Sequence, residues 1–132
     1  MLVALQAPTN AMLARSVNSP VNAAFISFAV GTVALLAIVL ALGVRPSGAE
    51  LRALPWYAWI GGLYGAFFVT AAAFAAPRLG VTYLLTLGIG GQLVMAVLLD
   101  RYGAFGVPAQ EITPARVFGL ALVLGGVILV RK

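Results

Sequence analysis

Residues 21–43 read VNAAFISFAVGTVALLAIVLALG, an apolar run with no Asp, Glu, Lys or Arg. A helix that crosses a bilayer needs about 20 predominantly apolar residues, because the hydrocarbon core is about 30 Å thick and each residue rises 1.5 Å. The run meets that length. It is entered through Asn18-Ser19-Pro20. Serine is a preferred N-cap, and proline suits the first helical position, where its missing N–H would have had no partner in any case. The stretch therefore reads as one complete membrane-crossing helix, and the rest of the chain is read outward from it.

Composition agrees. Of the 132 residues, 63% are hydrophobic and 8% charged, with a mean hydropathy of +1.09. A soluble domain carries about 25% charged residues, so this chain cannot clothe a water-facing surface. The fold class expected is an all-α integral membrane protein. The formal charge of +5 does not point to nucleic acid, because the eight basic residues lie singly between apolar runs and form no basic patch. Cysteine and histidine are absent, and the only acids are Glu50, Asp100 and Glu111. Disulfides and thiolate metal sites are thereby excluded. No histidine base and no acid deep within an apolar run remains for catalysis. No enzyme activity, cofactor or metal site is expected. The first apolar stretch lacks a basic n-region and runs into polar residues, so no cleavable signal peptide is expected.

Five helices are predicted, at about 1–17, 21–43, 55–76, 81–100 and 114–130, in one transmembrane domain covering 1–132. The first is short and interrupted at Pro8. Pro55 opens the third, which ends at Pro77-Arg78-Leu79-Gly80, and Thr113-Pro114 repeats the cap-and-proline start for the fifth. VRPSGAELRALP (44–55) is the most polar linker. Small residues recur at Ala23, Ser27 and Gly31, and again at Gly61 and Gly65. Such stripes let membrane helices approach closely where apolar burial gives no drive for association, although Gly and Ala are also simply frequent there.

Because successive loops alternate sides, the basic residues can be assigned to faces. One face receives Arg45, Arg52, Arg101 and Arg116, and the other Arg15, Arg78, Arg131 and Lys132. Orientation normally follows an excess of Lys and Arg in cytoplasmic loops. With four against four there is no excess. One reading is a topology fixed by neighbouring proteins or by a marginal first helix. The other is dual topology: copies insert both ways up and pair antiparallel, giving a ten-helix bundle with inverted repeats and a midplane site.

The stretches QAPTNAMLAR (6–15), SFAVGT (27–32), PWYAWIGGLYGAFFVT (55–70), PRLGV (77–81) and GQLVMAVLLDRYGAFG (91–106), with Arg116 and Gly119, cover most of the chain. In combination they resemble the drug/metabolite transporter superfamily, and within it the YdcZ-like family of small membrane proteins. The resemblance implies a five-helix half-transporter that works as an inverted pair. The chain is more distantly similar to the small multidrug resistance proteins, which pair antiparallel and export cations using a glutamate in the first helix. This first helix has no acid, and it looks shorter than is usual in the family. Gln6 and Asn10 stand roughly where the charge is expected.

Gln6 and Asn10 are one helical turn apart and share a face, with Pro8 between them freeing a backbone carbonyl. Irregular membrane helices offer such groups only to protein or to a water-filled cavity. Lining of a substrate cavity and plain interhelical hydrogen bonding both fit. Gln92, after Gly90-Gly91, is expected to face Gln6 across the bundle, and Trp59 and Tyr64 to line the same space. A tryptophan near this helix start resembles the aromatic wall of the multidrug proteins. Trp56 and Tyr57 fit an interfacial belt. Asp100 falls at a helix C-terminus, where the macrodipole disfavours an anion, so a partner is expected in Arg116, with Arg101 as competitor. A loop-bracing ion pair is favoured over a gating role. Arg78 suits either a lipid headgroup or an anionic substrate. The partners expected are the lipid bilayer, a second copy as an antiparallel homodimer, and a small-molecule substrate. The resulting reading is a multi-pass half-transporter of the bacterial inner membrane, moving a small metabolite by alternating access. The alternatives are a non-transporting interaction subunit and one half of a heterodimer.

Overall fold

The computed structural model describes residues 2–45 and 47–131. Every regular element among them is helical: α1 (Leu2–Ser16), α2 (Pro20–Leu42), α3 (Gly48–Ala53), α4 (Gly61–Leu79), α5 (Val81–Tyr102) and α6 (Pro114–Leu129). Short 3-10 turns at Trp56–Ile60 and Ala104–Gly106 lead into α4 and out of α5. Three segments, Pro20–Leu42, Trp56–Leu79 and Val81–Tyr102, are long and apolar enough to cross a membrane. With 15 residues in α1 and 16 in α6, these two helices rise only about 22 and 24 Å.

The helix ends follow local chemistry. The Ser19 hydroxyl accepts from the Asn22 amide, and Thr113 does the same for Arg116, each followed by proline at the first helical position. Gly43 (φ 65°) and Gly103 (φ 60°) close α2 and α5 in the left-handed conformation that glycine adopts without a Cβ penalty.

Four features depart from expectation. Helix α1 is not interrupted at Pro8 but runs through it. Pro8 can give no hydrogen bond to the Ala4 carbonyl, while the next residue, Thr9, donates from its hydroxyl to the Leu5 carbonyl at 2.7 Å. Helix α4 likewise continues through Pro77 and ends at Gly80, whose φ of 79° no helix can absorb. Pro55 opens a 3-10 turn rather than the α-helix, so Trp59 lies on that turn, ahead of α4. The polar linker also holds the unforeseen helix α3. Ser47 accepts from the Glu50 amide and the Glu50 carboxylate accepts from the Ser47 amide, a reciprocal capping box.

The chain divides into two compact units, Met1–Arg78 and Leu79–Lys132. In the first, α1, α2 and α4 meet on alanines: Ala14, Ala23 and Ala73 form a buried cluster, with Leu13 and Val17 packed beside it. Ala23 is 0% exposed, and Ser27 and Gly31 continue the half-buried stripe along α2 while most of its other residues are exposed. Gly65 receives the Phe28 ring, since a Cβ there would lie 3.2 Å from Phe28 Cζ, whereas Gly61 faces open space. In the second unit α5 and α6 approach at Gly90, where a Cβ would lie 3.2 Å from Val127 Cγ2 and 3.5 Å from Leu124 Cδ2.

Large apolar side chains point outward on nearly every long helix, among them Phe25, Leu36, Phe67, Phe74, Ile89 and Phe118. In water this would be untenable; in lipid it is the expected surface.

Candidate functional site

The sequence places amides on α1, and the structure separates them. Asn10 is 4% exposed, while Gln6, one turn earlier, is exposed. The Asn10 amide has no hydrogen-bond partner among the described residues, yet none of its polar atoms is completely sealed. Its polar atoms therefore remain open to a partner from outside the described residues. Beside it, Pro8 leaves the Ala4 carbonyl without its helical donor. Helix α1 thus offers two unspent polar groups within two turns.

The aromatic candidates are outward-facing. Trp59 is 60% exposed on the 3-10 turn and Tyr64 62% exposed on α4. Trp56 and Tyr57 make an edge-to-face pair, ring centroids 6.0 Å apart. Gln92 is exposed on α5, in the second unit, and it is Gly90 rather than Gly91 that permits the close helix approach there.

The charged pair forms the best-defined polar cluster. Arg116 Nη1 lies 3.5 Å from Asp100 Oδ2, at the C-terminal end of α5 and the start of α6. Arg116 Nη2 donates at 3.1 Å to the side-chain oxygen of Gln110, and the Gln110 amide donates to the Asp100 carbonyl at 2.8 Å. Gln110 therefore ties the loop to both partners, a role not foreseen from the sequence because it depends on how the loop turns back onto Asp100. At 40% and 36% side-chain exposure, the ion pair contributes at most about 1 kcal/mol. Its geometry braces the loop from α5 to α6. It also closes one end of a groove of about 440 Å³ between these helices, lined by Leu93, Val97, Leu120 and Val123.

Among the described residues no group of acidic side chains is arranged to hold a metal ion. The first unit presents the Gln6 and Asn10 amides, the Trp59 and Tyr64 rings and a freed carbonyl, and the second presents Gln92.

Comparison with known proteins places this architecture. The family described as "Putative inner membrane exporter, YdcZ" matches residues 1–129. The chain belongs to the YdcZ family. It is 26% identical over 90 residues to the inner membrane protein YdcZ of Escherichia coli (strain K12). The match covers 68% of this chain and 60% of that protein, so the chain spans less than two thirds of the length of the curated relative. No solved structure matches. Family membership and the outward-facing apolar helices together make this a helical inner-membrane protein, with an exporter rather than an enzyme as its family description.

Proposed function

We propose that the chain is a half-transporter that inserts in both orientations and exports a small organic solute as an antiparallel homodimer. The observation that carries this reading is the charge balance. Arg45, Arg52, Arg101 and Arg116 fall on one face and Arg15, Arg78, Arg131 and Lys132 on the other if all five long helices cross. Neither orientation then receives the excess of basic residues that normally fixes topology. Alternating access would follow from two inverted units rocking about a midplane site. Asn10, with Gln6, Trp59, Tyr64 and Gln92, would line that site, contributed twice by the inverted pair. The buried, unpartnered amide of Asn10 supports its place there. The Asp100–Arg116 pair acts as a loop brace in this reading.

Reporter tags at the C-terminus test the topology. Both sides of the membrane should be labelled in wild type. Two lysines added between Arg45 and Arg52 should draw that face to the cytoplasm, and two added after Lys132 should reverse the bias. One-sided labelling, unresponsive in both variants, would remove dual topology and leave a heterodimer half or an interaction subunit.

A further inference from the structure

Arg15 and Arg78 have no part in the amide-lined site, yet they share a cavity. It measures about 480 Å³ and is lined by Ala11, Ala14, Arg15, Asn18, Ser19, Pro20, and by Ala73, Phe74, Pro77 and Arg78. All of these residues belong to the first compact unit. Neither arginine has an acidic partner among the described residues, where the ion pair of Arg116 with Asp100 stands alone. The one acid of this unit, Glu50, is engaged in the α3 capping box. Arg78 is held in place: its Nη1 donates to the Phe74 carbonyl, and its guanidinium carbon stands 3.7 Å over the Phe74 ring. A guanidinium has five N–H donors, so that single bond leaves most of them available. Arg15 makes no side-chain hydrogen bond at all among the described residues.

Helix dipoles do not account for two full charges. Arg15 and Arg78 lie in the last turns of α1 and α4, whose C-termini carry about −0.5 charge each, while the N-terminus of α2 at Ser19-Pro20 returns about +0.5. Both arginines are exposed, so solvent screens their charge, and the helix ends offset only part of it. Asn18, also on the cavity wall, is held at φ 50° in the turn between α1 and α2 and adds an unpaired amide. The cavity's buried lining is apolar, formed by Ala11, Ala14 and Ala73.

We infer that this cavity binds the oxyanion of a phosphate group, held by Arg15 and Arg78 and oriented by Asn18. Planar guanidinium forks match a phosphate in two-pronged fashion, and the stack on Phe74 fixes one fork in advance. An anionic lipid headgroup and a soluble phosphate present the same chemistry here. The inference rests on the first unit alone and does not require the inverted dimer.

The test is thermal unfolding of the purified full chain in neutral detergent. It is titrated with inorganic phosphate at constant ionic strength and, separately, with phosphatidylglycerol against phosphatidylcholine. At least one probe should raise the unfolding temperature saturably. Arg15→Gln and Arg78→Gln should each raise the half-saturating concentration about ten-fold or more, while Arg52→Gln, away from the cavity, should leave it within about two-fold. Saturation by phosphate identifies a soluble ligand; saturation by phosphatidylglycerol alone identifies a headgroup. Absence of a saturable response to either probe overturns the site. So does an Arg52→Gln loss equal to that of the cavity variants. Should the glutamine variants fail to fold, Arg15→Lys and Arg78→Lys keep the charge and remove the fork. Wild-type affinity in both would then overturn the site.

Discussion

Helices in the first unit meet on Ala14, Ala23 and Ala73, which have no side chain beyond Cβ. Helices in the second meet on Gly90 against Val127 and are tied at the far end by Arg116, Asp100 and Gln110. Both solutions bring backbones close in a solvent that gives no reward for burying apolar surface. They differ in tolerance. An alanine cluster tolerates larger residues poorly, because the three helices meet there through Cβ atoms, with Leu13 and Val17 packed beside them. A glycine facing the tips of valine and leucine can yield somewhat, and a polar tie can lose one member and keep the others. The second unit neutralises Arg116 internally, whereas the first leaves Arg15 and Arg78 without an acid.

The largest effect should come from overfilling the alanine cluster. Ala23→Leu places three additional carbons at a fully buried position and should destabilise by about 1–3 kcal/mol, read from unfolding in mixed detergent micelles. Gly90→Val in the second unit should cost less, about 1 kcal/mol, and Val127→Ala in the same chain should recover part of it. Equal losses for Ala23→Leu and Gly90→Val, without recovery, would erase the proposed difference between the units.

Next in size is the polar tie. Asp100→Asn and Arg116→Gln should each cost at most about 1 kcal/mol, given the exposure of both side chains. The double variant should cost less than the sum, as coupled partners do. Gln110→Ala should show the same non-additivity with Arg116→Gln. Strict additivity in both thermal-unfolding cycles would reduce the cluster to three independent residues.

Ser47→Ala should have the smallest global effect. It removes one half of the α3 capping box, worth about 0.5–1 kcal/mol of local helix stability. Amide exchange should quicken across Gly48–Ala53 while the unfolding temperature of the whole chain stays unchanged.

These elements also show what the sequence disclosed. The starts of α2 and α6 were legible because Ser19-Pro20 and Thr113-Pro114 act through local hydrogen bonds and fixed φ, which need no tertiary partner. Helix α3 escaped notice because six residues carry no periodicity, although Ser47 and Glu50 three positions on are a recognisable capping box. Pro8 suggested an interruption and Pro77 an end that did not occur, since a helix survives a missing donor when its other bonds persist. Opposite charges at Asp100 and Arg116 could be matched by helix position, but Gln110 could not, because its role depends on how the loop turns back. Gln6 and Asn10 shared a face by spacing, and only packing distinguished the exposed amide from the buried one.

The unequal helix lengths carry a consequence for the surrounding lipid. Helix α2, at 23 residues, rises about 34 Å, about 10 Å more than the 16 residues of α6. A bilayer matched to α2 is too thick for α6. Where α6 crosses, the hydrocarbon thins around it or its flanking residues snorkel, at a cost of fractions of a kcal/mol per ångström of hydrophobic mismatch. Acyl-chain length thereby becomes a variable of the protein's own energetics. Shorter-chained lipids should gather beside α6.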